Sequence, residues 1–178
     1  VRVDNQDSAL FVLSTPEVVG LLPKWLDQVD DNSFPYSGVS SWRPPLQWTL
    51  TTNDKYHGAR VRSAYVIKSG SGSQTATWKI PVPSEGQYDL FYWVYKPDEL
   101  RRGRGRGGRG RSGGDAEYHF KVRYDNDEEN AYINLQRAEE GWSLLGTYFF
   151  SNDTVEVVLS DDSKLRTVTA DAVRIVRR

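Results

Sequence analysis

The chain has 178 residues, a length that one domain with its own buried core can accommodate. Its mean hydropathy of −0.63, together with the lack of any long apolar run, argues against a segment that inserts into a membrane. The sequence contains no cysteine, which excludes disulfides, thiolate metal sites and cysteine catalysis.

The formal net charge of −1 conceals an uneven distribution of charge. Six arginines lie in an Arg/Gly-rich loop over 98–115: Arg101, Arg102, Arg104, Arg106, Arg109 and Arg111. Glycine-rich backbone resists ordering, and clustered guanidinium groups attract carboxylates, sulfates and phosphates, so these arginines are candidate polyanion contacts. An anionic glycan and a plain solvated connection both stay open. Nucleic acid is disfavoured because no aromatic residues interleave with the arginines.

The first 58 residues are predicted to be an extension that packs on the rest of the protein. Ser14, Pro16 and Glu17 suit the start of a short helix within 14–29, since they offer a capping side chain, an early proline and a carboxylate. From 30 to 58, turn residues alternate with many rings, which predicts an ordered aromatic-rich loop.

From residue 59 onward the hydrophobic period changes to two, which predicts an all-β, antiparallel β-sandwich of the jelly-roll type, forming one folded unit with the extension. Candidate strands lie at 60–68, 74–82, 87–96, 116–124, 130–136, 145–151, 153–160 and 166–177. Alternation buries one residue in two along these strands. The residues expected in the core are Tyr88, Leu90, Val122, Val155, Val157, Leu159, Val173 and Ile175.

The 87–96 strand is apolar on both faces. Tyr88, Leu90, Tyr92 and Val94 would point one way, and Phe91, Trp93 and Tyr95 the other. One face must meet the core. The second is either covered by the N-terminal extension or left as an aromatic platform.

Several blocks then form a known pattern: EGQYDLFYWVYKP, AEYHFKVRYDN, GWSLLGTYFF and VTADAVRIV. Over about residues 59–176 the chain resembles the golvesin and xanthan-lyase C-terminal-like domain. The resemblance implies a galactose-binding-like β-sandwich, appended to secreted and often polysaccharide-active bacterial proteins, and therefore an extracellular, cell-surface or periplasmic location. The resemblance implies no lyase residue in this chain, because the lyase activity of such proteins belongs to neighbouring domains. The extension and the Arg/Gly-rich loop depart from the pattern.

Sugar-binding sites combine aromatic planes with a few fixed polar groups. The candidate ligand-binding residues are Trp42, Trp48, Tyr56, His57, Trp93 and Tyr95. Trp142, which follows a glycine, is interpreted instead as a plug at one end of the core. Asp171 is interpreted as a half-buried carboxylate whose partner is Arg174 or a pair of backbone amides.

No catalytic constellation is recognised. The only histidines are His57 and His119, and His119 alternates with Lys121 and Arg123 on a solvated face. The acidic run over 125–129 fits a polar hairpin turn better than a calcium loop. We therefore expect no cofactor and no catalytic metal, while a structural calcium ion elsewhere stays open.

These patterns predict a non-catalytic accessory module of a larger secreted bacterial protein that binds carbohydrate. Its partners would be a polysaccharide or glycan, anionic glycans included, and the other domains of the parent chain. The alternative is a structural or protein–protein interaction domain whose rings are buried at contacts with neighbouring domains or a surface partner.

Overall fold

The computed structural model describes residues 1–7, 9–14, 44–97, 100, 116–151 and 154–178. The helix expected within 14–29, apart from Ser14, lies outside these ranges, as do Trp42 and the six arginines of the Arg/Gly-rich loop. Every element whose bounds are described is a β-strand. None of the described residues belongs to a helix that could cross a membrane.

Twelve strands are described. They are β1 (Arg2–Asp4), β2 (Phe11–Leu13), β3 (Thr49–Thr52), β4 (Ser63–Lys68), β5 (Thr75–Pro81), β6 (Gly86–Val94), β7 (Glu117–Tyr124), β8 (Asp127–Asn134), β9 (Gly141–Phe150), β10 (Thr154–Ser160), β11 (Thr167–Ala170) and β12 (Ala172–Arg177). They form three antiparallel sheets in the orders β1-β12-β6-β9, β2-β5-β10-β7-β8 and β11-β4-β3.

The strands predicted from residue 60 onward correspond to β4–β12. The strand expected at 166–177 is divided at Asp171, where the chain leaves the three-stranded sheet as β11 and enters the four-stranded sheet as β12. Strands β1, β2 and β3 were not predicted. They are three or four residues long, too short for a period of two to be visible, and they contribute the N-terminal residues to all three sheets.

The core lies between the four-stranded and five-stranded sheets. Tyr92 of β6 meets Phe120 of β7 and Trp78 of β5, with ring centroids 5.0 and 6.1 Å apart. All eight residues predicted for the core are buried, which confirms the predicted register of their strands. The coarse prediction of an all-β, antiparallel, sandwich-like fold is confirmed.

The acidic run over 125–129 begins in the turn between β7 and β8 and continues into β8. Asp125 and Asn126 have φ angles of 49° and 66°, the left-handed region that a two-residue hairpin turn uses and that Asp and Asn tolerate. The Asp125 carboxylate accepts a hydrogen bond from the Ser151 backbone N–H at 3.0 Å. Asp125 and Asn126 therefore form a hairpin turn, as predicted, and the last three residues of the run belong to β8.

Candidate functional site

The outer face of the four-stranded sheet carries a group of rings beside the Arg174 guanidinium. Strand register places Trp93 of β6 opposite Trp142 of β9, and Phe91 between Leu144 of β9 and Arg174 of β12. We call Phe91, Trp93, Trp142, Leu144 and Arg174 the outer shelf. None of the five is fully buried. The second apolar face predicted for the 87–96 strand thus becomes part of a larger surface.

A β-bulge places Trp142 on this surface. Leu90 pairs with Gly146 and Phe91 with Leu144, so Leu145 is an extra residue in β9. The extra residue reverses the alternation: Tyr148 beyond it faces the core, whereas Trp142 before it faces outward. A Cβ at Gly146 would lie 2.6 Å from the Tyr148 hydroxyl, so the ring needs glycine there. The interpretation of Trp142 as a plug at the end of the core is therefore wrong.

The two indoles of the outer shelf stand almost at right angles, with centroids 5.2 Å apart and an interplanar angle of 86°. The Trp93 indole N–H donates to the Lys55 carbonyl at 2.9 Å, which ties the ring to the loop between β3 and β4. The Arg174 guanidinium lies over Trp142 and Phe91, with its carbon 4.4 and 4.8 Å from their ring centroids. The outer shelf is thus held in position by contacts on several strands.

His57 closes one side of the outer shelf. Its ring centroid lies 5.1 Å from that of Trp93 and 5.1 Å from that of Trp142. Its Nδ1 is 2.8 Å from Asp4 Oδ2, and its Nε2 is 3.3 Å from Arg2 Nη1. An arginine can only donate, so these contacts fit an imidazole whose Nδ1–H donates to Asp4 while Nε2 accepts from Arg2.

Beneath His57, Asp171 is completely buried at the point where β11 gives way to β12. The His57 backbone N–H contacts both of its carboxylate oxygens, at 3.2 and 3.1 Å. Burial raises the pKa of Asp171 well above its usual range, and the nearby Asp4 charge acts in the same direction. The predicted partner was Arg174 or a pair of amides. Arg174 faces outward on the shelf instead, and among the described residues the His57 amide is the partner.

Asp4, His57 and Asp171 bring three metal-binding groups within 4.8 Å of one another. Calcium takes six to eight oxygen ligands, whereas this cluster offers two carboxylates and an imidazole. The Nδ1 of His57 is already within hydrogen-bonding distance of Asp4 at 2.8 Å. These three side chains therefore do not fit a calcium site, and they are better described as the polar contacts that hold β1 and the loop after β3 against β12.

The structure brings four of the six predicted ligand-binding residues together. Trp93 and His57 are in contact, and Tyr56 meets Tyr95 edge-on with centroids 4.8 Å apart. Tyr56 is only 5% exposed, and burial raises the pKa of its hydroxyl. Trp48 instead packs against the hydrophobic core. Of the predicted set, Trp93 and Tyr95 are partly exposed, and Trp93 lies on the outer shelf.

Sequence reasoning missed three shelf residues: Trp142, Leu144 and Arg174. The order of letters in GWSLLGTYFF contains the signal, since the adjacent Leu144 and Leu145 interrupt strict alternation just before Gly146. The partner strand was still needed to show which residue is the extra one.

His119 also contacts a carboxylate. Its Nδ1 lies 3.1 Å from Asp162 Oδ2, and its ring meets Tyr132 edge-on at 5.2 Å. Both rings line a groove of about 370 Å³ on the five-stranded sheet. Among the described residues, no hydroxyl group is hydrogen-bonded to the imidazole of either histidine, so no paired nucleophile and base is formed there.

Comparison with known proteins gives the following relatives. Residues 109–177 match the family model of the Golvesin C-terminal domain, which confirms the predicted resemblance over that part of the chain. No curated protein matches the chain. The structure of Paenibacillus xanthan lyase is similar with a TM-score of 0.62 and 19% sequence identity, covering 99% of this chain and 13% of that one. The chain therefore spans a small part of that protein's length, and the likeness concerns the fold.

Two further structures are more distant. The CBM35 of Abf62 from Cellvibrio japonicus has a TM-score of 0.39 at 12% identity, covering 78% of this chain and 94% of that one. The GH26-CBM35 β-(1,4)-mannanase of Podospora anserina has a TM-score of 0.42 at 10% identity, covering 76% of this chain and 27% of that one.

Proposed function

We propose that this chain, whose C-terminal part is similar to the golvesin C-terminal domain, is a non-catalytic accessory module that binds carbohydrate on the outer shelf. The proposal includes a galactose-binding-like jelly-roll sandwich within a larger secreted bacterial protein, located outside the cytoplasm. The family match over 109–177 and the fold shared with part of xanthan lyase support this context.

The observation that carries the proposal is the pair of perpendicular tryptophans, Trp93 and Trp142, on an outer sheet face. The apolar C–H face of a sugar ring packs on an aromatic plane, and two planes at right angles can contact a ring from beneath and from one side. The Trp93 N–H is already bound to Lys55, so this indole offers its ring surface rather than a donor.

Fixed polar groups border the same rings, as a sugar-binding site requires. Arg174 lies against Trp142, and Arg2 lies beyond His57 on the same side of the sheet. At the other end, the Lys55 ammonium lies 3.8 Å from the Glu140 carboxylate. Hydroxyls of a stacked sugar would find both donors and acceptors within reach of the tryptophans.

A second candidate function is an interaction domain that docks neighbouring domains. Exposed apolar side chains on the same sheet favour it: Leu144 is 55% exposed, Phe149 54% and Val176 45%. Contiguous exposed apolar side chains mark sites of interaction with other proteins. In that case the tryptophans would be covered in the parent protein and would bind no glycan.

For the Arg/Gly-rich loop over 98–115, attraction of anionic polymers and a plain solvated connection both stay open. If its arginines act at long range, affinity for an acidic polysaccharide should fall steeply with added salt, because exposed charges are screened. Replacing all six arginines with serine should remove that dependence on salt.

The proposal is tested by screening the 178-residue chain on a glycan array, followed by calorimetric titration with the glycans that bind. We expect Trp142→Ala to weaken binding by about tenfold or more while the variant still unfolds cooperatively, because an aromatic contact with the ligand is lost. Tyr132→Ala is the matched control, since it removes an exposed ring from the other sheet.

Two results would contradict the proposal. One is that no glycan binds the parent chain up to millimolar concentration. The other is that binding survives Trp142→Ala and Trp93→Ala but is lost in Tyr132→Ala, which would move the site to the five-stranded sheet. A specific protein partner that competes for the outer shelf would support the interaction domain instead.

A further inference from the structure

Two arginines lie side by side on the outer face of the four-stranded sheet. Arg2 of β1 is the direct cross-strand partner of Arg174 of β12. Residues directly opposite one another share a face, and like charges in such pairs are destabilising. Val3 and Val173, the next pair, face the core and are fully buried. The arrangement therefore places two positive charges together beside the tryptophans at a cost to stability.

Among the described residues, no carboxylate forms a direct ion pair with either guanidinium, and the Asp4 carboxylate reaches Arg2 only through His57. Three acids on or beside the four-stranded sheet have other partners: Asp4 contacts His57 at 2.8 Å, Asp89 pairs with Arg178 at 3.1 Å, and Glu140 pairs with Lys55 at 3.8 Å. In the described part of the chain, Arg174 forms no ion pair, and its buried Nε has no hydrogen-bond partner.

The Arg174 guanidinium is nevertheless held in place. Its carbon is 4.4 Å from the Trp142 centroid and 4.8 Å from that of Phe91, which fixes the planar group against two rings. A fixed guanidinium loses little entropy when it binds a planar anion, and its fork of N–H groups matches a carboxylate with two parallel hydrogen bonds.

Arg2 is held towards the same place from the other side. Its Nη1 lies 3.3 Å from His57 Nε2, and His57 itself packs on Trp93 and Trp142. A group that carries negative charge next to a ring lying on the tryptophans would therefore meet two guanidinium groups. A hexuronic acid has this form, since its carboxylate is attached directly to the sugar ring.

We propose that the outer shelf recognises an acidic sugar, with Arg174 binding the carboxylate of a uronic acid residue whose ring packs on Trp142, and Arg2 adding a second positive charge. This inference rests on the proposed carbohydrate-binding function and specifies the class of sugar. It concerns folded strands of the sandwich and is independent of the arginines of the 98–115 loop.

The test uses matched pairs of oligosaccharides. Oligomers of glucuronate, galacturonate and mannuronate are titrated into the chain, alongside the same oligomers after reduction of their carboxyl groups to neutral hexoses. We expect at least one acidic oligomer to bind, and its reduced form to bind about tenfold or more weakly, because a charge-assisted bidentate contact is lost.

Variants then assign the effect to one residue. Arg174→Gln should weaken binding of the acidic oligomer about tenfold and weaken binding of the reduced form much less, so that the preference for the acidic oligomer is lost. Arg174→Lys keeps the charge and should recover only part of the loss, because an ammonium cannot form the planar fork. It also serves as the second variant if Arg174→Gln does not fold. Arg178→Gln is the control, since that arginine pairs with Asp89.

The possible outcomes distinguish the acidic-sugar inference from the proposed carbohydrate-binding function on which it rests. Equal binding of acidic and reduced oligomers, lost in Trp142→Ala, would overturn the acidic-sugar inference and keep the sugar site. An acidic preference that persists in both Arg174 variants but disappears when the six loop arginines become serine would overturn it as well. Binding of neither form, for any of the three sugars, would overturn the acidic-sugar inference, and it would contradict the carbohydrate-binding proposal itself only if no glycan on the array binds either.

Discussion

The two large sheets present very different outer faces. The five-stranded sheet carries a charged ladder of Lys79, Lys121, Arg123, Glu128 and Glu156. Glu128 accepts hydrogen bonds from Lys121 and Arg123, both at 2.7 Å, and Glu156 lies 3.5 Å from Lys79 and 3.8 Å from Arg123. On the outer shelf of the four-stranded sheet, a guanidinium lies on rings instead.

The two faces differ in whether their charged groups have partners of opposite charge within the protein. Exposed ion pairs contribute little to stability, and charges that are already paired gain little from a further partner. Rings at a surface and an arginine with no carboxylate gain free energy when a ligand covers them. This contrast is why the outer shelf, rather than the groove beside Tyr132, is the better candidate site.

The largest expected effect distinguishes an inner tryptophan from an outer one. Trp78 is completely buried, and its N–H donates to the Asp171 carbonyl at 3.3 Å. We expect Trp78→Ala to lower the free energy of unfolding by about 3–5 kcal/mol. Trp142→Ala should cost clearly less, because that ring is only partly buried. Denaturant melts of both variants measure the difference. An equal loss would mean that Trp142 supports the core and that the outer shelf is not a separate surface.

The next effect tests the bulge that directs Trp142 outward. In Gly146→Ala the new methyl group would lie 2.6 Å from the Tyr148 hydroxyl and 2.7 Å from carbons of its ring, which is stacked on Phe150. We expect a loss of about 1–3 kcal/mol, the usual cost of overpacking a well-packed site. Ser143→Ala, two positions before the bulge, is the control. A wild-type melt for Gly146→Ala would show that the Tyr148 ring can move away freely.

Asp171, beneath the outer shelf, allows a test by pH. Its pKa is raised in the folded protein, so the folded state holds a proton at pH values where the unfolded chain has released it. The free energy of unfolding contributed by this group is therefore present at low pH and lost as the pH rises from 3.8 towards the folded pKa. Asp171→Asn should remove this dependence and be more stable than wild type at neutral pH.

Asp54→Asn, in the exposed loop between β3 and β4, is the control for general effects of charge. Melts of the three proteins between pH 4 and pH 8 give the comparison. If Asp171→Asn were less stable than wild type at neutral pH, the ionised carboxylate would be required there, and a cation beside it would have to be considered.

The smallest effect is expected on the charged ladder. Hydrogen bonds from Lys121 and Arg123 hold the pKa of Glu128 below its usual range, so its contribution to stability is present at neutral pH and is lost as the pH falls. Glu128→Gln should shift the unfolding midpoint at neutral pH least in this series, and less still at high salt. A loss as large as that of Gly146→Ala would show that the ladder is structural.

Much of the fold was predictable because its signal is local. Alternation in the 87–96 region correctly divided Tyr88, Leu90, Tyr92 and Val94 from the outward rings. The acidic turn after β7 was also recognised from its residue types. Strands β1, β2 and β3 were not predicted, because segments of three or four residues carry no period and form only against longer partners.

The candidate site was predictable only in part. The sequence indicated an excess of rings, and Trp93, Tyr95, Tyr56 and His57 do lie together. It could not show that Tyr56 turns inward to Tyr95, or that Trp48 packs against the core. Both outcomes depend on contacts between segments that are distant along the chain.

By itself, the sequence determined the all-β class, the inward faces of the long strands and the surplus of aromatic residues, since each of these follows from residue type and a period of two. Only the tertiary structure decided which surface those aromatic residues form. One extra residue at Leu145 moves Trp142 to the outer face, and the pairing of β1 with β12 sets Arg2 beside Arg174. The physical reason is that register and bulges belong to pairs of strands, so a single strand's sequence does not contain them.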